Sequence, residues 1–505
     1  MADQSSATFL SQAHHNLRTV LAARDDSTLP TPDALAATVS ALPRPGQPDF
    51  LAGRGAEATL DHILTAIVPG LNSQGLSSRY FGFVTGGALP VAEAADNIVS
   101  ALDQNVQVHL PTHSASTAVE DAALCMLIEL LELGGDGRWP GRTFTTGATA
   151  SNIMGLACGR EAIIAARQQD TGAAAVTVAE GGLLAACHAA GVTEFQILTS
   201  MSHSSLSKAA SVVGLGHRTV KELPASDDEP WRLDLDAVER ELAQQGTATI
   251  IAVSAGEVNT GRFATNALDM PKLRSLADRY GAWIHVDGAF GIFARALPKT
   301  DEFLSLHANV AGLELADSIG ADGHKLLNVP YDNGIFFCRN ASILSKVFQN
   351  PNAVYLSTGP GTNIYSPLNI GIENSRRFRA LPVYAVLLSE GRDGMADMFA
   401  RQVLLARAIA AFIRGSLQFE WLPAEDASLE STHIIVLFRA RDPTLNDVLV
   451  DRINKTRKMF VSRTKWKGQK AVRIAVASWR VDVQRDLAVI KEVLTEIIAV
   501  QGTTA

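Results

Sequence analysis

Four short apolar runs limit most tightly what this chain can fold into. They are Phe195–Thr199, Ala248–Ser254, Ala282–Val286 and Gly334–Cys338. Each is too short for a helix and apolar at nearly every position, as a strand covered on both faces requires. Between two of them, Asn266 to Tyr280 carries a helical period. Strand–helix alternation of this kind, running from about residue 95 to 340, predicts an α/β fold around a mostly parallel sheet. In such sheets ligands sit beyond the carboxyl ends of the strands, so chemistry is sought where the apolar runs stop.

The flanks read differently. Residues 8–23 put Leu10, Leu17, Val20 and Leu21 on one helical face, and Pro30, Pro32, Pro43, Pro45 and Pro48 follow. Proline fixes φ and removes a donor, so residues 1–94 are expected to form an N-terminal arm with one short helix in its proline-rich part, packed on the main body or on a partner subunit. Residues 95–390 form the expected large domain. Residues 391–505 form a smaller α+β lobe, with a helix over Met398–Leu417, strands over His433–Phe438 and Ala471–Val476, and a closing helix over Leu487–Val500. The balance of 44 Lys+Arg against 52 Asp+Glu argues against nucleic acid as a partner. The best apolar stretch, Ala122–Leu133, is cut by Glu129 and Glu132, so no membrane span is expected. The N-terminus lacks a basic and apolar leader, and Cys125, Cys158, Cys187 and Cys338 form no CxxC. Both point to a reducing, cytoplasmic setting.

Two strand ends carry chemistry. His285-Val-Asp-Gly-Ala-Phe-Gly291 places Asp287 at a strand end, with Gly288 and Ala289 leaving room for a flat ring. Asp317 to Tyr331 places Lys325 beside Gly323 and His324. A carboxylate and a lysine amine opening on one crevice are what pyridoxal 5'-phosphate (PLP) requires, one for the ring nitrogen and the other for the aldehyde. A buried Asp–Lys ion pair would use the same residues without a cofactor. Thr145-Thr-Gly-Ala-Thr-Ala-Ser-Asn152 opens the helical run Ile153–Ala166, where small residues and a helix N-terminus suit a phosphate, although the segment by itself suits an ordinary capped helix start better. Ser202-His-Ser-Ser-Leu-Ser-Lys208 offers His203 to lie on a ring; Lys208 falls in a helical run and reads as a structural or solvated lysine. No G-x-G-x-x-G follows a strand, which disfavours a dinucleotide enzyme.

Together with Tyr80-Phe-Gly-Phe-Val-Thr-Gly-Gly87, Ala255-Gly-Glu-Val-Asn-Thr-Gly261, Ser375-Arg-Arg-Phe-Arg379 and Arg473-Ile-Ala-Val-Ala-Ser-Trp479, these segments resemble, in order and from about Arg79 to Leu494, the PLP-dependent group II amino-acid decarboxylases. The resemblance implies the PLP-dependent transferase-like fold (fold type I) and a homodimer with the active site at its interface. It makes Lys325 the Schiff-base lysine and Asp287 the partner of the pyridine nitrogen. His203 and Ala289 lie on the two faces of the ring, Ala148 and Thr149 on the phosphate, and His324 beside the cofactor. Thr85 falls where family members contact substrate. Asn352-Ala-Val-Tyr-Leu356 occupies the family's mobile loop, which makes Tyr355 the proton donor after carbon dioxide leaves. With Tyr355 and His203 both present, the expected product is an amine; in related plant enzymes loss of either equivalent diverts the reaction toward an aldehyde.

Two positions depart from the pattern. Val258 stands where some members have a threonine assisting the aspartate, leaving Thr260 as a substitute or no such bond. Asp322 replaces an asparagine near the phosphate, and a carboxylate beside a phosphate dianion is unfavourable unless turned away or paired. For the substrate, Tyr80, Phe81 and Phe83 are candidates for an apolar pocket, Arg473 for binding a carboxylate or bracing the lid, and Ser375 favours a phenolic amino acid by resemblance. Another fold type I PLP enzyme (carbon–carbon lyase, desulfurase or aminotransferase) would share the Asp and His-Lys elements. A cofactor-free binding or scaffold protein is the non-enzyme alternative.

Overall fold

A computed structural model describes residues 2–48, 50–169, 176–351 and 364–502. Seven strands build the main sheet: β1 (Gly141–Thr145), β2 (Glu194–Thr199), β3 (Val220–Glu222), β4 (Thr247–Ser254), β5 (Trp283–Asp287), β6 (Ser318–Asp322) and β7 (Gly334–Cys338). Their order is β1-β7-β6-β5-β4-β2-β3. Neighbours pair in parallel from β6 through β3, whereas β7 is antiparallel to both β6 and β1. The apolar runs therefore sit where expected, with ends shifted by a residue. β4 is buried at seven successive positions, the pattern of a strand covered on both faces.

The register brings Ser254, Asp287 and Gly320 side by side, and Asp322 opposite Gly334, which in turn faces Thr145. The ends of β1, β4, β5 and β6 thus meet along one edge. Four further strands, β8 (Phe419–Leu422), β9 (Ile435–Ala440), β10 (Ser462–Trp466) and β11 (Gln469–Ala475), form an antiparallel sheet in the order β8-β9-β11-β10.

Seven helices frame the argument: α1 (Ala2–Ala22), α2 (Pro32–Ala41), α3 (Ala148–Gln169), α4 (Ser204–Val212), α5 (Asp269–Tyr280), α6 (Ala380–Arg414) and α7 (Val483–Gly502). α2 begins with Thr31 capping the Ala34 N–H and a proline in the first turn, the arrangement that the loose donors of a helix start favour. α6 starts well before the expected Met398 and has a non-helical break at Gly391 (φ 61°). Its first half packs against Pro90–Leu102 and Ser116–Leu130, its second against β8, β9 and α7. The second sheet has its own apolar core of Phe419, Trp421, Phe438, Leu449 and Ile490. No helix among the described residues is long and apolar enough to cross a membrane.

Candidate active site

A cavity of about 540 Å³ opens where the carboxyl ends of the main-sheet strands face β10 and β11. Lys325, Asp287, His203, Ala148, Thr149, Ala289, His324 and Arg473 all line it, so residues separated by more than three hundred positions meet as the sequence reading required. Local geometry explains each placement. Asp287 ends β5, and its Oδ1 accepts the Ala289 N–H at 3.2 Å. Lys325 lies in a single helical turn, Gly323–Leu326, directly after β6. That turn is braced by the 80s loop: a Cβ on Gly86 would stand 2.3 Å from the Lys325 carbonyl oxygen and 2.6 Å from Asn328 Oδ1. Asn328 Oδ1 also accepts the Trp479 N–H at 2.8 Å, and the Trp479 indole donates to the Ala88 carbonyl at 2.9 Å.

His203 caps α4, its Nδ1 accepting the Ser205 N–H at 3.2 Å. Burial lowers its pKa, with Lys325 and Arg473 adding to the effect and Asp287 opposing it; the ring is neutral near pH 7. Burial likewise lowers the pKa of His324, which stacks on Tyr331 with centroids 4.2 Å apart. Lys208 is exposed on α4, as its helical context implied. Arg473 is brought down to about 10 by burial, with Glu257 opposing. Its Nε and Nη1 donate to the carbonyls of Val258 (2.5 Å) and Phe83 (2.6 Å), while Nη2 is buried without a partner.

Several expectations need correction. Thr260 does not assist Asp287; its hydroxyl and N–H both donate to Glu257 Oε2, at 2.8 and 2.7 Å. Asn152 takes that role, donating from Nδ2 to Asp287 Oδ2 at 2.9 Å. The sequence offered little signal for this, since Asn152 lies 135 positions away and looked like part of a capped helix start. Tyr80 and Phe81 do not line the cavity. Phe81 is fully buried in the second core, and Tyr80 stacks on Phe460 at 4.7 Å. Thr85 is buried too, its hydroxyl engaged by the Gly82 carbonyl (3.4 Å) and by Tyr331. From that segment Phe83, 70% exposed with φ 56°, and Val84 reach the cavity instead. Val258 and Phe290 add apolar wall, and Ser462 and Thr464 of β10 add polar wall that the sequence reading did not anticipate. Tyr355 lies outside the described residues.

The α3 N-terminus already holds an anion. Asp322 Oδ1 accepts the Ala148 N–H at 2.5 Å, and Asp322 Oδ2 pairs with Lys325 Nζ at 2.8 Å. The carboxylate is therefore paired rather than turned away, and it demonstrates that this loop accepts negative charge. A lysine, an ionisable carboxyl, a neutral histidine and an anion-binding helix start around one cavity are the donor set that PLP needs.

The family model described as "Pyridoxal-dependent decarboxylase conserved domain" matches residues 65–441. The chain belongs to the pyridoxal-dependent decarboxylase family. It is accordingly a PLP-dependent carboxy-lyase. Tryptophan decarboxylase 1 of Oryza sativa subsp. japonica is 25% identical over 445 residues, covering 84% of this chain and 80% of that protein. L-2,4-diaminobutyrate decarboxylase of Acinetobacter baumannii is 26% identical over 328 residues, covering 64% and 60%. Among solved structures, Oryza sativa TDC with PLP and tryptamine superposes with a TM-score of 0.80 at 20% identity, covering 99% of this chain and 98% of that one. Mouse CSAD superposes with a TM-score of 0.77 at 18% identity, covering 97% and 98%. These superpositions establish the decarboxylase as a fold type I protein.

Proposed function

We propose that this decarboxylase removes the carboxylate of an L-amino acid with an aromatic side chain and releases the amine. The observation that carries this reading is the meeting of Lys325 and Asp287 at one cavity whose mixed wall includes an apolar part built by Phe83, Val84, Val258 and Phe290. Relatives named for tryptophan, tyrosine and aromatic amino acids support it; the diaminobutyrate relative marks the competing substrate class.

Lys325 would hold the cofactor's aldehyde carbon, and Ala148 and Thr149 at the α3 start would hold its phosphate. Asp287, held in place by the Asn152 donor, would face the ring nitrogen. Ala289 and His203 would flank the ring, with His324 beside Lys325 in the same wall. When bound, PLP supplies an electron sink for the pair left at Cα. Arg473, which lines the cavity and has one buried Nη2 without a partner, would bind a substrate carboxylate. Phe83 and Phe290 exclude water from the reacting carbon. Tyr355 returns a proton to Cα, a step of the kind worth about 10²–10⁴-fold.

We also infer a cytoplasmic homodimer, consistent with four unpaired cysteines and with apolar side chains left exposed on the arm, Leu10 at 65%, Leu35 at 49% and Leu51 at 90%. The division into an arm, a large domain and a small lobe belongs to the same reading. The deciding experiment is an amino-acid panel scored for carbon dioxide and amine. Turnover of aromatic substrates above acidic and basic ones supports the assignment; turnover of diaminobutyrate alone refutes the aromatic part.

A further inference from the structure

Behind the cavity lies a buried polar chain of which the proposed reaction uses only the Asn152 end. Trp283, Ser318, His285 and Asn152 are all buried, the last three fully. The Trp283 indole N–H donates to Ser318 Oγ at 3.0 Å. Ser318 Oγ meets His285 Nδ1 at 2.9 Å, and His285 Nε2 meets Asn152 Oδ1 at 2.9 Å. At Asn152 the chain branches. Its Nδ2 reaches Asp287 Oδ2 at 2.9 Å and Ser205 Oγ at 3.3 Å, and Ser205 Oγ meets His203 Nδ1 at 2.7 Å. The packing is built for this. A Cβ on Gly155 would stand 2.4 Å from His285 Nδ1, so only glycine lets α3 settle close enough for Asn152 to touch both β5 residues.

The proton positions follow from the ends inward. Asn152 turns its NH₂ to Asp287 and its oxygen to His285. His285 is neutral, its pKa lowered to about 4 by burial with Asp287 and a Ser318 backbone hydrogen bond opposing, and the Asn152 oxygen facing Nε2 places its single proton there. Its Nδ1 accepts from Ser318, whose oxygen accepts from an indole that can only donate. On the other branch the second Asn152 proton goes to Ser205 and the Ser205 hydroxyl proton to His203 Nδ1, which the Ser205 N–H also addresses at 3.2 Å. Every donor points the same way.

We propose that Trp283, Ser318, His285, Asn152 and Ser205 form a one-directional donor chain that both orients Asp287 and fixes His203 as the Nε2–H tautomer. His203 thus offers the cavity a donor rather than an acceptor, suited to an anionic oxygen of the bound molecule. These five are positioning residues. Their proposed effect on the cofactor rests on the functional reading above; the proton positions do not.

Neutron diffraction from perdeuterated crystals of the purified protein reads the second part directly. Deuterium on Nε2 of both His203 and His285, with the Asn152 amide nitrogen toward Asp287, supports the chain; deuterium on Nδ1 of either ring overturns it. The first part is read from PLP dissociation constants of His285→Gln and His285→Phe. Gln can still donate to Asn152 and Phe cannot, so the Phe variant should bind PLP about tenfold or more weakly than the Gln variant. A merely structural role predicts the reverse, because Phe suits a dry site better than an extra amide; equal or tighter binding by the Phe variant overturns the positioning role. A wild-type protein that binds no PLP defeats the functional reading and leaves the neutron result to judge the chain.

Discussion

Acidification from about pH 8 to about pH 5 should cost the folded chain about 2 kcal/mol through His433 alone. This ring is fully buried, and burial, with Arg407 adding to it, pushes its pKa down to about 3. The unfolded chain has an ordinary histidine near 6.5. Below that value the unfolded state takes up a proton that the folded state refuses, so stability present above about pH 6.5 is lost progressively as pH falls toward about 3. At about pH 5 the unfolded ring is nearly all protonated and the folded ring nearly all neutral, which gives RT ln 30, or about 2 kcal/mol. The loss falls on the site wall, since His433 stacks on Phe290 (centroids 6.2 Å apart, planes 11°) and the Phe290 ring lies 5.7 Å from Lys325 Nζ. The assay is urea unfolding of wild type and His433→Leu at both pH values. The variant should lose about 2 kcal/mol less than wild type on acidification, whatever its stability at pH 8. Equal losses in the two proteins would show that His433 does not carry the effect.

Other tests address the site itself. Borohydride reduction of the PLP-loaded enzyme followed by peptide mapping should label Lys325, and a label on exposed Lys208 would overturn the lysine assignment. Asp322→Asn should strengthen binding of PLP about tenfold more than binding of pyridoxal, which lacks the phosphate, because the variant removes a negative charge from the α3 start, whereas loss of the Asp322–Lys325 pair acts on both ligands alike; dialysis with both ligands checks this, and an equal change in the two would refute it. Tyr355→Phe should divert part of the product from amine to aldehyde, ammonia and peroxide in the presence of oxygen, as read by amine quantification and a peroxide assay; an unchanged amine yield would contradict the role.

The strands were legible because a doubly covered sheet leaves its mark in contiguous apolar runs; β7 matched its expected limits, and β2, β4 and β5 were off by a residue. The cavity's lysine, aspartate and histidine were legible because strand ends followed by small residues have few other uses. Tyr80, Phe81 and Phe83 were not separable in advance. Aromatic residues two positions apart can serve a core or a pocket equally well, and only the positive φ at Phe83 sends that one outward. The Asn152 contact escaped because it depends on how closely α3 rides the sheet, which Gly155 sets and no spacing rule reports. Asp322 stood out as awkward beside a phosphate, but its pairing with Lys325 three residues on required coordinates.

The knot of Gly86, Lys325, Asn328 and Trp479 has a consequence for how the protein matures. A growing chain that has not yet delivered its Trp479 has nothing to seat against Asn328 and Ala88, and so the turn carrying the lysine lacks its brace. The turn that carries the lysine is thereby completed only when nearly the whole polypeptide has been made, since segments almost four hundred positions apart must meet to brace it.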